Sequence, residues 1–183
     1  MTSRVWFVTG ADRRIGRAYT KAALAAGDRV VGAARDVSRL DDLAAVYPGR
    51  LLALSLDVTD RPAVFAAVDE AVARFGRLDV VVNDAGALFT GMMQQLTGAA
   101  DRARQDLNFF GAPWVGQAAL PLLRAQGSGH IVQISTIGAG TEAPQVRVRL
   151  TIVQPGGGWT DLYASNTTTS AIDSAPRAAV RVS

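Results

Sequence analysis

The chain has 183 residues, enough for one domain with a sizeable core, and its 49% apolar and 19% charged residues exclude a chain disordered throughout. It has no cysteine and a single histidine, His130, which excludes disulfides, thiolate chemistry and Cys-based or multi-His metal sites. The net charge is only +3 and the basic residues, all arginine except Lys21, are scattered, so no nucleic-acid-binding face is expected. No apolar run reaches the roughly 18 residues of a membrane span, and Met1 to Trp6 lacks the features of an export signal, so a cytoplasmic location is expected.

Val5 to Thr9 is a short β-rich run ending at Gly10, and Ile15 to Ala26 reads as a helix with Ala18, Ala22 and Ala25 on one stripe. Arg29 to Ala34 is a second strand, Val37 to Tyr47 a second helix closed by Pro48-Gly49, and Leu51 to Leu56 a third strand. The next helix starts at Thr59 or Asp60 as N-cap with Pro62 in its first turn, and its apolar positions Val64, Phe65, Val68, Ala71, Val72 and Phe75 keep the helical period. Leu78 to Val82 is an apolar strand, helical stretches cover Ala99 to Phe110 and Pro113 to Ala125, and Ile131 to Ser135 is a further strand. Apolar strands alternating with amphipathic helices make an α/β fold, a doubly wound, Rossmann-like parallel sheet.

After Thr136 the alternation fails. Gly138 to Pro144 is loop-like, Val146 to Val153 a strand, and Gln154 to Gly158 a Gly-rich turn. A single domain over 1–164 and a poorly ordered Ser-, Thr- and Ala-rich tail over 165–183 are expected.

Thr9-Gly10-Ala11-Asp12-Arg13-Arg14-Ile15-Gly16 lies where the first strand turns into the first helix. Glycines there let backbone N–H groups approach a pyrophosphate at a helix N-terminus, although a tight βα turn without a ligand uses them equally. At the end of the second strand an acid would hold a ribose 2′-OH, whereas arginine suits a 2′-phosphate. Ala34 and Arg35 stand there, with Arg13 in the loop, which favours NADP(H). Asp36 is a contrary sign, and Arg35 is also readable as a solvated strand end.

Taken together the motifs resemble those of the short-chain dehydrogenase/reductase family. Thr9, Gly10 and Gly16 match its T-G-x-x-x-G-x-G loop, in which Arg14 replaces the middle glycine and Ile15 is the residue between the last two positions. Asp57-Val58 resembles the D-V pair that holds the adenine, and Asn83-Asp84-Ala85-Gly86 resembles N-N-A-G with Asp84 in place of the second Asn. Asn108 matches the tetrad Asn, Ile134-Ser135-Thr136 resembles I-S-S with Thr136 as the catalytic hydroxyl, and Pro155-Gly156 resembles the P-G after the sixth strand. The resemblance therefore implies an NADP(H)-dependent oxidoreductase acting on a small carbonyl compound or secondary alcohol. It assigns catalytic roles to Asn108, Ser135 and Thr136 and cofactor contacts to Thr9, Gly10, Arg13, Arg14, Ile15, Gly16, Arg35, Asp57, Val58, Asn83, Ala85, Gly86, Pro155 and Gly156.

The family's proton donor is the Tyr of Y-x-x-x-K, whose Lys lowers the Tyr pKa and holds the ribose. None of Tyr19, Tyr47 and Tyr163 has a Lys four residues later, and Lys21 lies in the first helix. Thr136 and Val148 are separated only by Ile137 to Arg147, at or below the length of a parallel crossover. The chain thus resembles a family member truncated after the fifth strand, with the helix carrying Tyr and Lys missing. Three expectations follow from that resemblance: an apolar sheet face left bare, an altered pairing of the last two strands, and loss of the usual dimer helix. Tyr163 is more readily a packing residue than a substitute base, and His130 falls at the sheet edge away from the active site. Weak or absent turnover is expected. The alternatives are a non-catalytic NADP-binding remnant and a truncated product without function of its own.

Overall fold

Strands β1 (Val5–Thr9) and β4 (Val80–Asn83) lie side by side at the centre of a six-stranded sheet, although the second and third strands fall between them in sequence. This computed structural model describes residues 3–87, 97–135 and 148–154. With β2 (Arg29–Ala34), β3 (Leu51–Ser55), β5 (His130–Ile134) and β6 (Arg149–Val153) the sheet order is β3-β2-β1-β4-β5-β6, every neighbouring pair parallel. Winding outward from β1 in both directions opens a crevice beyond the carboxyl ends of β1 and β4, where such sheets hold ligands.

The near-continuous apolar runs of β1 and β4 are those of strands covered on both faces. On one face Phe7, Val31, Val81 and Leu54 pack with Val64, Val68 and Phe75 of α3 (Arg61–Phe75) and Val115, Ala119 and Leu123 of α5 (Gly111–Ala125). On the other, Val8, Val30, Val80 and Val82 meet Ala23 and Leu24 of α1 (Arg14–Ala25) and Leu43 of α2 (Asp41–Val46). Each fully buried Phe, Leu or Val side chain contributes roughly 1.5–3 kcal/mol.

The helix ends follow their residues. Asp60 caps α3 by accepting from the Ala63 N–H at 3.0 Å, and Pro62 needs no donor in the first turn. The single helix expected over Val37 to Tyr47 is a 3₁₀ turn, Val37–Leu40, followed by the short α2, because Asp36 accepts from both the N–H and the hydroxyl of Ser38 and tightens the entry. The stretch after the fourth strand runs as α4 (Gly98–Gln105), one π turn (Asp106–Phe110) and α5.

The expectation that β5 and β6 would not pair in the usual way is corrected. They pair in parallel from His130↔Arg149 to Ile134↔Val153. Because β5 stops at Ile134 and β6 begins only at Arg149, residues 135–148 are left for the crossover, above the minimum of about a dozen. Along β6, Arg149 and Thr151 are exposed and Leu150, Ile152 and Val153 half-buried, against full burial of β4. The segment 136–147 and the tail 165–183 lie outside the described residues. No helix among those described is long and apolar enough to cross a membrane.

Candidate functional site

The turn from β1 into α1 is fastened to the end of β4. The Thr9 hydroxyl donates to the Val82 carbonyl and accepts from the N–H groups of Asp84 and Ala85, both at 3.1 Å. Gly10 sits at φ +67, where a Cβ would stand 3.2 Å from the Ala85 nitrogen. Gly16 is more constrained: a Cβ there would come to 2.3 Å from the Gly10 carbonyl oxygen. The loop therefore closes only with glycine at both ends.

Arg14, at the middle-glycine position, has φ +48 and is the only non-glycine at positive φ among the described residues. That conformation costs a side-chain-bearing residue about 1–2 kcal/mol. No side chain of the turn caps α1, and no acid lies in its first turn. The cap comes from elsewhere: Asp84 Oδ2, just past β4, accepts the Gly16 N–H at 2.8 Å. Burial raises the Asp84 carboxyl to about 7; Asp12 adds to the rise, while the Gly16 N–H and the Arg14 charge oppose it.

A cavity of about 410 Å³ opens at these strand ends. It gathers Gly10, Arg13, Arg14, Ile15, Arg35, Asp57, Val58, Ala85, Gly86, Asn108 and Ser135 from five separate strand ends and the π turn. Thr9, Gly16 and Asn83 lie beneath it as supports; Asn83 Nδ2 donates to Gln133 Oε1 at 3.2 Å. Thr136, Pro155, Gly156 and Tyr163 lie outside the described residues.

At the end of β2 the cavity wall is Ala33, Ala34 and exposed Arg35. Arg13 Nε pairs with buried Asp12 at 2.8 Å, which fixes its stem beside the loop. Asp57 turns its Oδ1 to the N–H and hydroxyl of Thr59. Asn108, on the π turn, is bidentate to one peptide: Oδ1 accepts from the Ala87 N–H at 2.9 Å and Nδ2 donates to the Ala87 carbonyl at 2.7 Å. Its amide thus clasps the segment after β4. His130 sits at the amino end of β5, its Nε2 2.7 Å from Thr151 Oγ1, with its pKa lowered by burial and Arg149.

Sequence reasoning noted Asp84 only as a departure from a motif and passed over Asp12 and Gln133. The sequence signal for Asp84 was the pairing of an acid at one glycine-loop support with an arginine in that loop.

Parallel strands wound outward from β1, with a glycine turn and a cavity at the switch point, define a doubly wound, Rossmann-like α/β protein. The family model for short chain dehydrogenases matches residues 4–148, and the chain belongs to that family. Oxidoreductase BOA17 of Botryotinia fuckeliana is 33% identical over 90% of this chain and 69% of its own length. A short-chain dehydrogenase from Streptomyces avermitilis superposes with a TM-score of 0.80 at 35% identity, covering 92% of this chain and 71% of that one. A metagenomic short-chain oxidoreductase in complex with NADP gives 0.75 at 26% identity, covering 86% and 84%. The chain spans only part of its curated relatives, 62% of an uncharacterized oxidoreductase of Schizosaccharomyces pombe and 45% of a mouse family member among them.

Proposed function

We propose that the chain is an NADP(H)-binding oxidoreductase of this family, directed at a small carbonyl compound or secondary alcohol, with weak or no turnover. The observation that carries the cofactor reading is the cavity wall at the end of β2. Arg35 stands on it beside Arg13 and Ala34 occupies the position of an acid, a set that favours a 2′-phosphate over a free 2′-OH.

The residues present fit such a cofactor. Gly10 and Gly16 let the turn pack directly onto the end of β4 at the mouth of the cavity, and the start of α1 behind it suits a pyrophosphate. Gly10, Ile15, Ala85 and Gly86 would line its path, with Asp57 and Val58 toward the adenine end. Bound there, a nicotinamide cofactor supplies a hydride donor or acceptor. The chain's own part is then to bind, to orient and to move a proton. For the last task it is poorly equipped: Thr136 to Pro155 contains no tyrosine and no lysine.

A hydroxyl such as Ser135 or Thr136 can polarise a carbonyl but supplies no efficient proton near neutral pH. Spectrophotometric assay of NADPH oxidation with a panel of aldehydes and ketones tests this. Rates below about 0.1 per second are expected, and turnover at tens per second with any of them would overturn it. The lack of any tyrosine or lysine from Thr136 to Pro155 favours a second reading, a non-catalytic NADP-binding protein; cofactor binding with no detectable turnover would select it.

A further inference from the structure

We propose that filling of the phosphate loop is coupled to proton uptake by Asp84, a positioning residue that sets the pH range over which the site binds. The inference rests on the cofactor reading above and extends it to regulation of the same site.

The geometry places a carboxylate where the family motif carries a neutral amide. Asp84 lines the cavity with Arg13 and Ile15, and it holds the Gly16 N–H at 2.8 Å in the first turn of α1. It is thus an internal anion at the helix end that would otherwise attract a pyrophosphate. Adding phosphate charge to a half-buried cavity that already holds a carboxylate sets like charges against each other. Protonation of the carboxyl removes the conflict.

The surrounding charges leave the proton within reach. From the β1–α1 turn, Arg14 favours the ionised form and Asp12 opposes it, while Arg13 is paired with Asp12. Arg17 of α1 is turned away, to the Arg39 carbonyl and to Asp42. Gln133, Ser135 and Asn108 face the cavity uncharged, and 88–96 contains no acid or base. Burial places the Asp84 carboxyl near neutrality, at about 7. By linkage, whatever raises that pKa on binding must tighten binding as the pH falls.

The test is the NADPH dissociation constant of the wild-type chain and of Asp84→Asn from about pH 6 to about pH 8.5. Asn keeps the acceptor for Gly16 and removes the charge. Titration of the cofactor's own 2′-phosphate is common to both proteins. The wild type is expected to weaken about tenfold more than the variant across this range. Calorimetry of the wild type in buffers of differing ionisation enthalpy reads proton uptake directly and needs no variant; net uptake is expected at about pH 7.5. Saturable binding with equal pH dependence in both proteins, or with no proton uptake by the wild type, overturns the coupling alone. Absence of binding at every pH in both overturns the cofactor reading and the coupling with it.

Discussion

A methyl group on Gly16 would stand 2.3 Å from the carbonyl oxygen of Gly10 and 2.9 Å from Asp84 Oδ2. Backbone cannot yield as a flexible side chain does, so Gly16→Ala must pry the loop from the end of β4. A loss of about 3 kcal/mol is expected in urea denaturation. NADPH affinity should fall with it. A variant as stable as the wild type would contradict the close approach.

Asn108 holds the Ala87 peptide at both its N–H and its carbonyl. The site is exposed, so water replaces the lost partners, and Asn108→Ala should cost only about 1 kcal/mol. Asn108→Asp is expected to be worse, because it sets a carboxylate oxygen against the Ala87 carbonyl. Thermal denaturation at neutral pH ranks the two, and hydrogen exchange at the Ala87 amide should accelerate in both.

Arg35 is the cleaner probe of cofactor choice. Arg35→Ala should weaken NADPH binding about tenfold, or ~1.4 kcal/mol, and leave NADH nearly unchanged. Arg13→Ala mixes two effects, because it also strips the partner from buried Asp12 and should lower stability. Parallel titrations with both nucleotides read the difference.

Asp84 gives stability a pH dependence. Its folded pKa is raised from an ordinary 3.8 to about 7, so its contribution is fully present below about 4 and is lost as the pH rises through 7. The melting temperature of the wild type should therefore fall relative to Asp84→Asn between those limits. Arg14 pulls this pKa down, so Arg14→Gly should move the midpoint upward. A midpoint unmoved or lowered would mean that the Arg14 charge does not reach the carboxyl.

The alternating strands and helices were legible because buried parallel strands are apolar throughout and α3 carries its own cap and stop in Asp60, Pro62 and Gly76. The glycine loop was legible for the same kind of reason, since close approach leaves only one residue type possible at Gly10 and Gly16. What sequence could not give was anything decided by a second chain segment. The parallel pairing of β5 with β6 depends on where each strand stops, which set 135–148 as the crossover. Asp84 capping α1 spans two distant segments, as does the Asn108 clasp on Ala87. Local patterning carries no signal for the Asn108 clasp, and for Asp84 the signal is the distant pairing of an acid at the loop support with Arg14 in the loop.

We infer that this chain keeps a working NADP(H) half-site without the family's proton-transfer pair. This is tested most directly by titrating the purified chain with NADPH and with NADH, following energy transfer from Trp6, Trp114 and Trp159 to the nicotinamide. Saturation at micromolar NADPH, with NADH about tenfold weaker or more, is the predicted result. Failure to saturate at millimolar NADPH, or a preference for NADH, would contradict the account.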